Sequence, residues 1–133
     1  MNPVIASAAF GFFKAIAAQK LGIKDPHPPD LKDDVLLAPL FEEFQYRVLP
    51  FLAGVPEVGA TAVPFAMIHR DRRAPAIVNS LRMLDATTGG LLYEAAYREY
   101  GAFGAFMAHA LHNLGAHLPS LPAFKTRKPK WRR

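Results

Sequence analysis

Three short constellations in this 133-residue sequence join residue types that can move protons or hold a cation. The first is Glu42-Glu43 with Arg47, set inside VLLAPLFEEFQYRVLPFL. Residues four apart share a helix face, so Glu43 and Arg47 can pair, while Glu42 projects about 100° around the axis. One carboxylate is then neutralised and its neighbour is left free, an arrangement suited to a general base whose proton affinity is tuned by burial. The plain alternative is an exposed amphipathic face carrying one ordinary salt bridge.

The second constellation is Phe65 to His69, FAMIH, which sets an aromatic ring and an imidazole on one side of a single turn. A histidine there can be a ligand or a polar cap over the last carbonyls. The third is His109 to Asn113, HALHN, with His112 beside them. Spaced at i and i+4, His109 and Asn113 can bind a metal, donate to a developing oxyanion, or simply bond to each other and to backbone in a core. His109 lies in the apolar run GAFGAFMAHAL and must find a partner.

Helices are the elements that must position these groups. No strand-length stretch alternates with period two, and Ala, Leu, Phe and Met dominate, so an all-α domain is expected. Pro3 to Leu21 is an Ala- and Phe-rich helix interrupted by Lys14, and the absence of a charged segment before it favours a retained helix over a cleaved leader. Gly22 to Asp34 holds three Pro and four Asp and reads as a polar linker. Four apolar segments follow: Val35 to Leu52, closed by Pro50, Gly54 and Pro56; Val58 to Ile68, ended by the charged run His69 to Arg73; about Ala74 to Tyr100, opened by Pro75; and Gly101 to Leu118, stopped by Pro119 and Pro122. Thr87-Thr88-Gly89-Gly90 is the expected break in the third. Gly89, Gly90, Gly101 and Gly104 permit close helix approach or a helix break, and no nucleotide-binding loop pattern is present.

Composition removes whole classes of function. A hydrophobic share of 51% against 20% charged provides a core for one domain and argues against disorder. With no Cys, disulfides, thiolate zinc, iron–sulfur clusters and cysteine nucleophiles are excluded. The net charge of +5 belongs to the tail, where Lys125, Arg127, Lys128, Lys130, Arg132 and Arg133 leave the body near neutral. Without a basic stripe and interleaved aromatics in the body, a nucleic-acid module is disfavoured, and the tail suits anionic lipid or solvent. Crossing a bilayer takes about 20 mostly apolar residues. Val58 to Ile68 is short of that, and Arg82, Asp85, Glu94, Arg98 and Glu99 interrupt the third segment, so composition alone points to a soluble or peripheral protein.

In their order, EExxxR (Glu42, Glu43, Arg47), FxxxH (Phe65, His69) and HxxxN (His109, Asn113), with Ala38-Pro39 just ahead, resemble the CPBP family of CAAX-type prenyl-protein proteases and bacteriocin-processing enzymes. The resemblance runs from about Leu37 to Ala116 and includes Gly89 to Tyr93, which looks like the family's glycine-containing helix break. It implies a helical intramembrane peptidase in which Glu42 and His69 hold and activate the hydrolytic water, with Glu42 as general base. Glu43, Arg47 and Phe65 are then structural support, and His109 with Asn113 stabilises the oxyanion. The resemblance implies a metalloprotease, for which Glu42, His69 and His109 suit zinc by ligand type, with a metal-free water activated by glutamate as the alternative.

The expectation is therefore a compact all-α, multi-helix bundle, membrane-embedded or membrane-associated, with residues 1–34 as an N-terminal helix and linker, 35–118 as the CPBP-like core and 119–133 as a basic tail on the cytoplasmic side. Its partners are a peptide or protein substrate, membrane lipids and a further copy or larger assembly, and a soluble form stays open. The competing reading is a non-catalytic helical scaffold or accessory subunit in which the same residues are a dry polar network. The two differ in whether Glu42, His69 and His109 converge on one wet cavity.

Overall fold

The computed structural model describes residues 1–23, 30–54, 61–71 and 74–120. All regular structure in them is helical, with no strand among the described residues. Helix α1 spans Pro3–Lys20. The Asn2 side chain caps it, accepting from the amides of Val4 at 2.9 Å and Ile5 at 3.3 Å, and Pro3 stands where a missing N–H costs nothing.

Residues 33–52 form one unbroken helical run of mixed pitch. A π-helical turn, Asp33–Leu37, leads into α2, Ala38–Glu43, and a second, Phe44–Val48, leads into α3, Leu49–Leu52. Each widened turn comes just before a proline, Pro39 or Pro50. A proline inside a helix has no N–H and its ring collides with the carbonyl four residues back, and the wider turn relieves that collision. Pro50 does not stop the run by itself; the helix carries through it and ends at Leu52, the expected end of the segment, just before Gly54, whose φ is +72°. Pro56 lies outside the described residues.

Helix α4, Ala62–Ile68, is short, and α5, Ala76–His117, follows Pro75 and ends in a 3-10 turn at Leu118–Ser120. The expected break at Thr87 to Gly90 is also absent. Helical geometry runs through it, and the chain turns back at Gly101, with φ +70° and ψ −163°. Sixteen residues of straight helix would separate Tyr93 from His109 by about 24 Å, yet their ring centroids stand 4.3 Å apart. Helix α5 is thus a hairpin of two arms meeting at Gly101.

Small residues let α1 lie against the second arm of α5. A Cβ on Gly11 would enter the backbone carbonyl of His112, a Cβ on Gly115 would meet the Ala8 carbonyl, and Ser7 Oγ donates to the Ala108 carbonyl at 2.9 Å. Between the arms and α4 sits the core of Phe65, Ala66, Ala86, Tyr93, Ala96 and Ala108. Many large apolar side chains remain outside it, among them Leu36, Leu40, Phe41, Phe44 and Phe51 of the 33–52 run and Met67 and Ile68 of α4. No described helix is long and apolar enough to cross a membrane.

Candidate active site

The polar centre is built from α2, α4 and the two arms of α5. Glu43 and Arg47 are both buried and face each other across 3.7 Å, one turn apart as their spacing predicts. Arg47 also donates through Nη2 to the Gly90 carbonyl at 2.9 Å and lies over the Phe65 ring, 5.6 Å from its centroid. A Cβ on Gly90 would stand 3.4 Å from Ala62 and 3.5 Å from Arg47 Nη2, so the packing of the 33–52 run and of α4 against α5 meets at this position.

His109 completes this network from the second arm. Its Nδ1 donates to Glu43 Oε1 at 2.8 Å, since an ionised carboxylate can only accept. His69, at the end of α4, makes the corresponding bond to backbone, with Nδ1 donating to the Phe65 carbonyl at 2.7 Å. Both rings therefore turn Nε2 toward the same point, and that point is Glu42. Glu42 Oε2 lies 3.7 Å from His109 Nε2 and 3.9 Å from His69 Nε2, and it is buried without a hydrogen-bond partner among the described residues. These separations exceed direct hydrogen bonding, which ends near roughly 3.2 Å. They are also shorter than the roughly 4.5–5.5 Å spanned by a water hydrogen-bonded to both ends, so a water serving these groups sits to one side of the line between them.

A cavity of about 180 Å³ opens here, lined by Glu42, Phe65, His69, His109 and Asn113 together with Asp34, Asp85, Tyr93 and His112. The four residues expected to act on substrate thus share one space. Asn113 donates through Nδ2 to the Asp34 carbonyl at 2.6 Å, and His117 contacts the Asp34 carboxylate at 3.0 Å, so the start of the 33–52 run is tied to the last turns of α5.

The family model described as type II CAAX prenyl endopeptidase, Rce1-like, matches residues 34–115. The chain belongs to that family. No curated protein and no solved structure matches it. The matched span of this Rce1-like chain contains all three motifs, from Glu42 through Asn113, and leaves α1 outside.

As a zinc site, Glu42, His69 and His109 have suitable chemistry, because each imidazole is oriented by a partner on Nδ1. In this structure Glu42 Oε2 stands 3.7 and 3.9 Å from the two Nε2 atoms. Tetrahedral zinc with bonds near 2.0–2.1 Å sets neighbouring ligand atoms roughly 3.3 Å apart, and among the described residues no group of three or more His, Asp or Glu is arranged to hold a metal ion.

Sequence reasoning passes over Tyr93, Asp85, His112 and Lys14 as site residues. The Tyr93 ring stacks on His109 with an interplanar angle of 13°. Its phenol is held well above the ordinary value by burial and by the carboxylates of Asp85, Glu43 and Glu42. Gly89 lies directly under it, since a Cβ there would come 2.8 Å from Tyr93 Oη. Lys14, from α1, pairs with Asp85 at 2.7 Å and reaches His112 Nε2 at 3.1 Å. Burial raises the Asp85 carboxyl, but the neighbouring His112 and Lys14 more than offset it, and the group sits below its ordinary value. Burial pulls His112 down, Asp85 opposes in part, and the Lys14 charge adds to the depression. The sequence signals for this trio are that His112 lies within HALHN and that Lys14 and Asp85 interrupt apolar helices.

Proposed function

We propose that this Rce1-like chain is a glutamate-dependent peptidase that hydrolyses a peptide bond in a prenyl-modified substrate at a membrane. The observation that carries the reading is Glu42 Oε2, buried and unpartnered among the described residues, with two imidazole Nε2 atoms converging on it at 3.7 and 3.9 Å beside the cavity that all three residues line. A water seated there bonds to Glu42 and His69 together. As its oxygen attacks the scissile carbonyl carbon, its proton passes to Glu42 and the carbonyl oxygen becomes an oxyanion. Collapse of the tetrahedral species breaks the C–N bond, and Glu42 returns the proton to the leaving amine. The enzyme ends as it began, with a carboxylic acid and a free amine as products.

Oxyanion stabilisation falls to His109 and Asn113. An imidazole whose Nδ1–H is bound by a carboxylate is well suited to carry a proton on Nε2, and Glu43 is that carboxylate. Arg47 faces Glu43 from one turn away, and Tyr93 holds the ring plane by stacking. Asn113 Nδ2 has two hydrogens, of which the Asp34 carbonyl takes one.

Supporting a membrane location are the uncovered Leu36, Leu40, Phe41, Phe44 and Phe51, which together exceed what isolated surface apolar residues require. The basic stretch Lys125 to Arg133, outside the described residues, supplies positive charge for the cytoplasmic leaflet. The test is to incubate the purified full chain in detergent micelles with a prenylated CAAX-type peptide and to identify products by mass. Release of the residues beyond the modified cysteine, at a rate unchanged by a chelator, is expected. An intact peptide after prolonged incubation overturns the assignment.

A further inference from the structure

Asp85 and His112 share the cavity with Glu42 yet take no part in the hydrolysis. They are joined by Lys14, which lies on a helix outside the matched family span. An ammonium group carries donors only, so its 3.1 Å contact with His112 Nε2 requires that nitrogen to offer a lone pair. The hydrogen of the neutral ring therefore sits on Nδ1. That N–H has no partner among the described residues, although His112 is 2% exposed. Asp85 is in the complementary position, with Oδ2 held by Lys14 and Oδ1 buried without a hydrogen bond to any described residue.

One side of the cavity is thus lined by two adjacent side chains that each carry a buried polar atom without a hydrogen bond to a described residue, Asp85 Oδ1 being 3.5 Å from His112 Nε2. Buried polar groups left unpaired are costly, and where they line a cavity a ligand is the usual partner. An extended peptide residue shows its own N–H and C=O on the same side, as in the paired bonds of an antiparallel ladder. We infer that Asp85 and His112 form a docking subsite for the backbone of an extended peptide substrate, with Lys14 holding the two side chains in register. The inference rests on the peptidase reading and deepens it: Asp85 Oδ1 accepts the peptide N–H and His112 Nδ1–H donates to the peptide carbonyl. Recognition of this kind reads backbone and tolerates variation in side chains.

Binding and turnover separate the two claims. The probe is a fluorescently labelled prenylated CAAX-type peptide, and its affinity for the full chain is read by anisotropy in the Glu42→Gln background, where cleavage does not deplete it. Asp85→Ala and His112→Leu are each expected to weaken binding about tenfold, while His112→Gln, which keeps a donor, loses no more than about threefold. Wild-type affinity in Asp85→Ala and His112→Leu, with helical circular dichroism intact, overturns the subsite and leaves its polar atoms to solvent. Should His112→Leu fail to fold, Asp85→Ala decides in the same way. Failure of the hydrolase reading is a different result: Glu42→Gln would then cleave the peptide at the wild-type rate.

Discussion

His109 is bound on one edge to Glu43 at 2.8 Å and on the other looks toward Glu42 at 3.7 Å, so two adjacent glutamates meet the same ring on its two nitrogens. The close contact fixes the ring, and the distant one leaves room for a reactant. Glu43→Gln keeps the shape of that bond and removes its charge. Orienting partners of this kind are typically worth about 10–100-fold. A fall of that size in kcat, with KM little changed and the pH–rate profile displaced, is expected from steady-state kinetics across pH.

Arg47 is the cation on which the buried acid depends. Arg47→Met leaves Glu43 uncompensated and strands the Gly90 carbonyl at once. Breaking a buried pair by removing one partner costs about 3–5 kcal/mol, and urea denaturation should register a loss in that range. A loss under about 1 kcal/mol would show the pair to be energetically idle, as exposed pairs are.

At Gly101 no described atom lies within 4 Å of the point a methyl group would occupy, so any penalty there is backbone alone. Gly101→Ala forces a side chain into φ +70°, ψ −163°, at a cost of about 1–3 kcal/mol. Thermal unfolding should shift downward accordingly while the helical signal of the folded protein is retained. Gly11→Ala provides the opposite control, since its methyl meets the His112 backbone and must push α1 from α5.

Acid should weaken the fold in two stages. His112 is depressed below the ordinary imidazole value of 6.5, so below that pH the unfolded chain takes up a proton that the folded chain refuses. Stability then falls as pH drops from about that value. Asp85, depressed below 3.8, acts with the same sign in a lower window, because the unfolded carboxyl protonates first. Denaturation midpoints measured from neutral pH down into the carboxylate range should decline from near 6.5 downward, and His112→Leu should abolish the upper stage.

Local spacing makes part of this site legible in the sequence. The Glu43–Arg47 pair, with Glu42 turned aside, follows from helix geometry within one turn. The convergence of His69 and His109 on Glu42 is tertiary, and only the ordered motifs point to it. The boundary read between Tyr100 and Gly101 is where the chain reverses, whereas the further break read at Thr87 to Gly90 is absent, because a glycine pair serves a break and a close contact equally well. Here Gly89 underlies Tyr93, where a Cβ would come 2.8 Å from the phenol oxygen, whereas the positive φ is at Gly101. Pro39 and Pro50 both lie inside the 33–52 run, where π-helical turns absorb them, and the run ends at Leu52 as the segment's pattern predicts. Lys14, Asp85 and His112 meet across sequence separations of 71 and 98 residues, and no helical period relates them.

The central claim is that the unpaired glutamate does the chemistry and its neighbour the positioning. It is tested most directly by the turnover of Glu42→Gln on a prenylated CAAX-type peptide, measured on protein whose unfolding midpoint has been compared with wild type. General-base catalysis is typically worth about 10²–10⁴-fold, so a rate reduced at least that far is predicted, with the midpoint unchanged. A folded Glu42→Gln protein that cleaves at the wild-type rate would contradict the account.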